Sequence, residues 1–455
     1  MNHQLLEKYN IPVPRYTSYP PANYFHDLSA DAFLSAIERS NHDKHQPLVS
    51  FYLHIPFCRH LCHYCGCNSY AMMNDDVVRE YVDALHREID LVAARLDGNR
   101  KISQIHYGGG SPTAIPINYI KELNNHLLSL MPVIDKPEIA IECHSGYLTI
   151  EDWEQLVQCG FTRYSLGIQD FDERVLKAVN RRPSLLPVSE IVSLLRESGA
   201  SINMDLLYGL PYQTPLSFEK TAEQAANLRP DRLVTFSYGH VPWVHKRQQI
   251  LEKLGLPAGD DKQEMYRRAA NVLHQAGYQG IGMDHFVLPN DELNIALKNK
   301  QLHRNFQGYC TLRTTGQVYA FGVTGISQLG TAYAQNGRDI RTYIDTIHNN
   351  RLYVERGYAL SRQEQIVREV IEAMMCNYHF SWSEIAARLS VSVDEVKGAV
   401  NYNLDKLKEM EADGLLVLGE DALSMTEFGS PFVRNVVAAL DPLMINSEKK
   451  FSKLI

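Results

Sequence analysis

No run of apolar residues in this chain is long enough to span a bilayer, although 45% of its 455 residues are hydrophobic, and this argues against an integral membrane protein. An excess of basic charge is also missing. Lys and Arg number 45 against 53 Asp and Glu, a net of 45 − 53 = −8, so nothing draws the chain as a whole toward nucleic acid, and any anionic ligand must be held by local cations. The first residues, Met1 to Lys8, lack the charged and apolar regions of a secretory signal, and a cytoplasmic protein is expected. Fixed-period repeats and low-complexity segments are absent. Cysteine is scarce but uneven: Cys58, Cys62, Cys65 and Cys67 fall within ten residues, whereas Cys143, Cys159, Cys310 and Cys376 stand singly in apolar surroundings and read as buried small hydrophobes. Clustered cysteines in a reducing compartment point to a metal site rather than a disulfide framework.

From residue 49 to about 285, short apolar or β-branched runs alternate with longer amphipathic stretches. The strand candidates are Val49–Ile55, Ile102–Tyr107, Glu138–Glu142, Arg163–Ile168, Ile202–Leu207 and Arg232–Ser237. Between them lie patterns such as Val77 to Leu96, where Val78, Tyr81, Val82, Leu85, Ile89 and Val92 recur near period 3.6. Six strand-then-helix units in series predict an α/β fold, a partial or full parallel (β/α) barrel, with its chemistry at the C-terminal ends of the strands. The first 35 residues break this rhythm, because Pro12, Pro14, Pro20 and Pro21 oppose regular structure, and they read as an extended arm. Residues 36–360 read as the catalytic domain and 361–455 as a helical, winged-helix-like cover domain with a hairpin near Gly419–Asp421.

Cys58-x3-Cys62-x2-Cys65 lies in the loop after the first strand. Three thiolates at these spacings suit three corners of a [4Fe–4S] cube and leave one iron open for a ligand. A zinc site using all four Cys is the alternative, although Cys65 and Cys67 flank a single residue, whereas structural zinc usually draws two separated pairs. Gly108-Gly109-Gly110-Ser111 after the second strand offers open backbone to a small polar ligand, or makes a tight turn. Asp205 lies between Met204 and Leu206, and an acid in a buried strand needs a partner or a ligand.

Cys-x3-Cys-x2-Cys after a first strand, with Tyr64 before the third Cys, resembles the signature of radical S-adenosylmethionine (SAM) enzymes. Arg15-Tyr16-Thr17-Ser18-Tyr19-Pro20, Tyr52-x-His54-Ile55-Pro56-Phe57-Cys58, Cys65-Gly66-Cys67-Asn68, Gly282-Met283-Asp284-His285-Phe286 and His303-Arg304-Asn305-Phe306-Gln307-Gly308-Tyr309 extend the resemblance, over nearly the whole chain, to the oxygen-independent coproporphyrinogen III oxidases within that superfamily. The resemblance implies one [4Fe–4S] cluster on Cys58, Cys62 and Cys65, and catalytic roles for Arg15, Tyr52, Cys67 and Gln307. It implies two SAM molecules, one near Tyr52, Gly109 and Glu142, the other near Tyr64, Gly110, Ser111, Gln169, Arg181 and Asp205, with Gly239 and Ile326 also lining the pocket. Here Cys143-His144-Ser145 follows Glu142 where that family usually places an Asp-Pro pair after one residue.

The expected activity is oxidative decarboxylation of two propionates of coproporphyrinogen III to vinyls, giving protoporphyrinogen IX. An unactivated C–H bond is beyond side-chain acid–base catalysis and falls to a cofactor radical. Arg15, Lys246, Arg247 and Arg304 are the candidate cations for the carboxylates. An electron donor for the cluster and an electron acceptor are expected partners, the chain being a monomer without nucleic-acid or membrane partners. Alternatives are another radical SAM reaction on a tetrapyrrole, such as haem methylation with ring opening, a haem-trafficking protein, and a nucleic-acid-binding regulator. Against the last, the predicted helix from Asp394 to Asp413 holds six acids (Asp394, Glu395, Asp405, Glu409, Glu411, Asp413) and three lysines (Lys397, Lys406, Lys408), and phosphate repels such a face.

Overall fold

The computed structural model describes residues 3–312, 314–445 and 451. Six parallel strands run through its centre: β1 (Val49–Ile55), β2 (Ile102–Gly109), β3 (Val133–Cys143), β4 (Arg163–Gln169), β5 (Ser201–Tyr208) and β6 (Arg232–Ser237). A seventh, β7 (Gln317–Phe321), lies parallel against β1 on its other side, so the central order is β7-β1-β2-β3-β4-β5-β6. The expected α/β fold is therefore present, and the six anticipated strands lie where the β-branched runs placed them. Beyond β7 the sheet continues antiparallel through Ile326–Gln328, Ala332–Asn336, Val354–Ala359 and His26–Asp27, and beyond β6 through His285–Val287 and Gln279–Ile281. Among the described residues no pairing joins the two edge strands.

Helices cover the sheet because their apolar stripes have nowhere else to go. In the helix Asp75–Ala93, Asn74 caps the first turn by accepting from the Val77 N–H (3.0 Å), and Val78, Tyr81, Val82, Leu85, Ile89 and Val92 are all buried. The sheet's lower half is filled by a polar plug. Glu138 on β3 accepts from Gln104 (2.5 Å) and Arg163 (2.9 Å), and Arg232 lies 3.7 Å away while pairing with Asp291 at 2.8 Å. Burial pushes the Glu138 carboxyl up, and the Arg163 and Arg232 charges override this and hold it down at about 2. The hairpin Leu302–Asn305/Gly308–Thr311 reaches this plug through Asn305 Nδ2, which donates to Gln104 Oε1 at 3.3 Å.

Two regions differ from the sequence expectation. The arm begins with a helix, His3–Tyr9, which ends ahead of the first proline and docks on the far end of the chain: Lys8 and Tyr9 both reach Asp413 at 2.5 Å. Tyr9, Tyr16 and Tyr19 are buried in one apolar cluster with the C-terminal helices, and Tyr16 donates to Asp441 at 2.9 Å. The expected helix from Asp394 to Asp413 is two, Val393–Ala399 and Leu404–Ala412. Asn401 breaks it by donating its N–H to the Leu440 carbonyl (2.9 Å), and Asn403 then caps the second helix. The hairpin is present as Leu416–Leu418 and Ala422–Met425, joined by His379–Ser381 into a three-stranded sheet. Cys143, Cys159, Cys310 and Cys376 are buried and unbridged, as anticipated.

Candidate functional site

The candidate residues collect at the C-terminal ends of β1 to β6. After β1 the chain makes a short strand, Phe57–Cys58, which pairs with Tyr70–Ala71 and so closes the cysteine loop on itself. Tyr70 N–H donates to the Pro56 carbonyl (2.8 Å) and Met72 N–H to that of Cys58 (2.9 Å). The loop is fastened on two further sides. His63 N–H reaches Val179 O (2.9 Å) and Asn180 Nδ2 reaches Leu61 O (3.0 Å), while buried Gln248 donates to Tyr64 O (3.0 Å) and Gly239 O (3.3 Å) and accepts from Val241 N–H (2.6 Å). Gln248, which sequence reasoning missed, is the strap that joins the thiol loop to the loop after β6.

Cys62 is buried, Cys58 and Cys65 are half-buried, and Cys67 is exposed, its N–H donating to Cys65 Sγ at 3.4 Å. Burial pushes the Cys58 thiol up to about 12, whereas the hydrogen bonding from Cys67, with Arg247 and Arg181 nearby, holds the Cys65 thiol low. Arg181 Nη1 is 3.7 Å from Cys62 Sγ and 3.2 Å from Tyr64 Oη, and its other terminal nitrogen donates to the Gly167 carbonyl. Among the described residues no three His, Cys, Asp or Glu side chains surround one point as a single ion requires. A cube, with one thiolate to each of three irons, does not require it.

Around this loop buried polar atoms lack partners: His63 Nδ1, Asn68 Nδ2, Ser69 Oγ, His106 Nδ1, His144 Nε2 and Arg247 Nη1. These are six of the sixteen such atoms among the described residues, and each is a polar atom left free for a ligand at this end of the sheet. The donor set and the unmatched atoms fit an iron–sulfur cluster with a polar cofactor beside it.

The glycine run fits the same reading. Gly109 holds φ at +122°, and a Cβ there would lie 2.8 Å from the Ile55 carbonyl; one on Gly110 would lie 2.6 Å from the Pro56 carbonyl and 3.0 Å from Cys58 Sγ. Ser111 N–H donates to Phe57 O at 3.0 Å. A Cβ on Gly108 would meet Glu142 Oε1 (2.9 Å) and Tyr52 Oη (3.0 Å), so the phenol and the carboxylate share one corner. Glu142 is oriented by His106 Nε2 at 3.2 Å, and Tyr52 by His54 Nδ1 at 3.3 Å. Burial, Glu142 and Cys67 push the Tyr52 phenol well up. His106 was not among the sequence candidates; it pairs with Ala140 and reaches Glu142 two residues further along the same face of β3.

Asp205 accepts from Asn203 Nδ2 (2.8 Å) and Ser165 Oγ (3.1 Å), and burial raises its carboxyl against those bonds. Gln169 ends β4 with φ at +70°, close above Gly167 and Arg181. A Cβ on Gly239 would meet open space. Ile326 packs against the cluster of Phe25, Tyr333 and Leu360 together with Phe306, on the strand beside β7, whose Ala320 pairs with Tyr52. Gln307 is the tip of the plug hairpin, its N–H held by Asn305 Oδ1 at 2.9 Å. Arg15 projects from the buried arm as an exposed residue, and its charge and that of Arg304 both act on Asp284. Arg304 also packs over the Tyr309 ring at 4.9 Å. Arg247 faces the thiols instead, and Lys246 is exposed.

Residues 52–225 match the Radical SAM superfamily, and residues 360–432 match the HemN C-terminal domain. Oxygen-independent coproporphyrinogen III oxidase from Helicobacter pylori is 38% identical over 100% of this chain and 99% of its own length. Those from Synechocystis and Escherichia coli are each 36% identical over 99% of this chain and 97% and 98% of their own. The chain belongs to the oxygen-independent coproporphyrinogen III oxidase family. The solved structure of the coproporphyrinogen III oxidase HemN from Escherichia coli, described as a radical SAM enzyme, superposes with a TM-score of 0.87 at 35% identity, covering 96% of this chain and 98% of that one. Family membership in turn implies a [4Fe–4S] cluster and SAM as cofactors. Among the described residues no helix is long and apolar enough to cross a membrane.

Proposed function

We propose that this family member converts coproporphyrinogen III to protoporphyrinogen IX, removing two propionate carboxyls as CO2 without oxygen, in the cytoplasm and as a monomer. The observation that carries the reading is the full-length identity of 36–38% to oxidases of that name, with the thiol loop, glycine run and acids at one end of the sheet. When bound, cluster and SAM supply a 5′-deoxyadenosyl radical able to take hydrogen from a propionate side chain.

Cys58, Cys62 and Cys65 would hold the cluster, each through its own iron, and Arg181 and Arg247 offset the accumulated negative charge. Gly108–Gly110 let β2 lie close against the thiol loop, and their backbone carbonyls would meet SAM, the Gly110 N–H being held by Ile55 O. Glu142, aimed by His106, would accept from the SAM ammonium, and Asp205, fixed by Asn203 and Ser165, would bind hydroxyl or amino groups. A second SAM would use Tyr64, Gly110, Ser111, Gln169 and Arg181, with Gly239 and Ile326 at the margin. Arg15 and Arg304 would receive substrate carboxylates, and Tyr52, Cys67 and Gln307 would act near the reacting carbon. The cover domain would exclude water from the site.

An anaerobic assay with reconstituted protein, SAM, a reductant and a one-electron acceptor, which takes the electron released as each CO2 leaves, tests this. Two CO2 per coproporphyrinogen III and stoichiometric protoporphyrinogen IX are expected. A methylated or ring-opened product, or SAM cleavage with no porphyrinogen consumed, would refute it.

A further inference from the structure

The thiol loop also builds a face that the proposed chemistry leaves unused. Residues 58–67, 144–147 and 177–185 are stitched together by His63 N–H to Val179 O (2.9 Å), Asn180 Nδ2 to Leu61 O (3.0 Å) and Leu185 N–H to Ser145 O (3.0 Å). These three segments contain Arg59, Lys177, Arg181 and Arg182 and no Asp or Glu, in a chain of net charge −8. Arg59, His60, Lys177 and Arg182 are exposed, and among the described residues Arg59, Lys177 and Arg182 make no ion pair with a carboxylate. At the centre stands Tyr147. The Arg59 and Arg182 guanidinium groups lie 5.5 and 5.4 Å from its ring centroid, and His60 stacks on it at 5.7 Å while sharing a 2.6 Å hydrogen bond with its hydroxyl. His144, 4.9 Å away ring to ring, keeps the face free of the acid that the family pattern would put there.

The face is adjacent to the thiols. Arg59 and His60 follow Cys58 directly, Leu61 precedes Cys62, and Arg181 touches Cys62 Sγ. We propose that this face docks an acidic one-electron carrier protein, an inference that rests on the thiols holding a redox cluster. One electron leaves the reduced carrier and one enters the cluster, with no bond made or broken. Fixed cations without competing carboxylates steer a negatively charged partner and suppress others, and the Tyr147 ring holds Arg59 and Arg182 in place so that they lose little freedom on binding.

The test titrates the full chain, both cluster-loaded and iron-free, with a flavodoxin of acidic pI, reading binding by calorimetry. In the double variant Arg59→Glu/Arg182→Glu, Kd rises by about tenfold or more at low salt in both forms, and the difference shrinks as ionic strength climbs past about 0.5 M. Lys44→Glu/Lys101→Glu, the same charge change just before β1 and β2 at the opposite end of the sheet, leaves Kd unaltered. SAM cleavage driven by dithionite stays at the unmodified rate in the Arg59/Arg182 variant. Absence of cleavage with any reductant in the unmodified protein defeats the radical SAM reading instead, while the binding measurement still stands. An unchanged Kd in the Arg59/Arg182 variant, an equal loss in the opposite-end variant, or weakened binding of coproporphyrinogen III in its place overturns the docking proposal.

Discussion

Replacing Gly110 by Ala isolates one contact on which the cluster site depends. The added Cβ would sit 2.6 Å from the Pro56 carbonyl oxygen, 2.8 Å from its carbon and 3.0 Å from Cys58 Sγ. An ordinary carbon–oxygen contact is about 0.6 Å longer than the first of these, so one backbone must retreat by roughly that distance. Neither is free to do so. The Pro56 carbonyl accepts from Tyr70 N–H, the bond that closes the cysteine loop, and Gly110 N–H is held by Ile55 O, both at 2.8 Å. Overpacking of this kind costs about 1–3 kcal/mol, and the large unfolding entropy of a long chain turns that into a melting temperature lower by only a few degrees. The displaced atoms are those that carry Cys58. Iron after anaerobic reconstitution is therefore expected to fall well below half of the unmodified protein's, with matching loss of visible absorbance and of SAM cleavage. Gly98→Ala, where a Cβ meets nothing within 4 Å, is the control and keeps its iron. Full iron and full SAM cleavage in Gly110→Ala would refute the claim that this glycine sets the position of Cys58.

Cys58→Ser, Cys62→Ser and Cys65→Ser should each lose the cluster, while Cys67→Ser keeps about four irons per chain; zinc in place of iron, or loss of iron from Cys67→Ser alone, would break the ligand assignment. Glu142→Ala and Asp205→Ala should retain iron yet weaken SAM binding by about tenfold or more, as loss of a charged hydrogen-bond partner does; calorimetry with SAM decides it. Removing residues 1–21 should spare cluster assembly and some uncoupled SAM cleavage but abolish porphyrinogen turnover, since Arg15 and the buried Tyr16 and Tyr19 leave together; full turnover by the shortened chain would defeat the assignment. Glu138 has a carboxyl held at about 2 in the folded chain against an ordinary 4.5, so its contribution, on the order of 3 kcal/mol, is present above pH 4.5 and lost as pH falls toward 2. Urea unfolding at pH 3 and pH 6 should show that slope in the unmodified protein and a flatter one in Glu138→Gln.

The parallel core was legible because buried strands of a β/α unit have two faces to fill. Val49–Ile55 and Arg232–Ser237 begin and end where their β-branched runs do, and the helix on Val78, Tyr81 and Leu85 follows its apolar stripe. The short antiparallel strands flanking β7 were not legible. Three to six residues such as Ile326–Gln328 carry too little pattern, and they are strands only because β7 offers its edge. Likewise Asp394 to Asp413 has helical periodicity throughout, and the break came from a distant carbonyl, that of Leu440, which claims the Asn401 N–H.

The cysteine spacing, the glycine run and the Pro-rich arm are local signals, and the resemblance to the radical SAM enzymes was legible in them because thiolate spacing and missing side chains act over a few residues. What only the tertiary structure decided is the company those groups keep: His106 against Glu142, Ser165 and Asn203 around Asp205, Gln248 strapping Tyr64, and Arg59 and Arg182 clamped on Tyr147. Apart from Asn203, which lies two residues from Asp205 on the same strand, each of these joins residues about 35 to 185 apart in the chain. Such partners are chosen by the register of the parallel sheet and the closure of its loops, which no local pattern encodes.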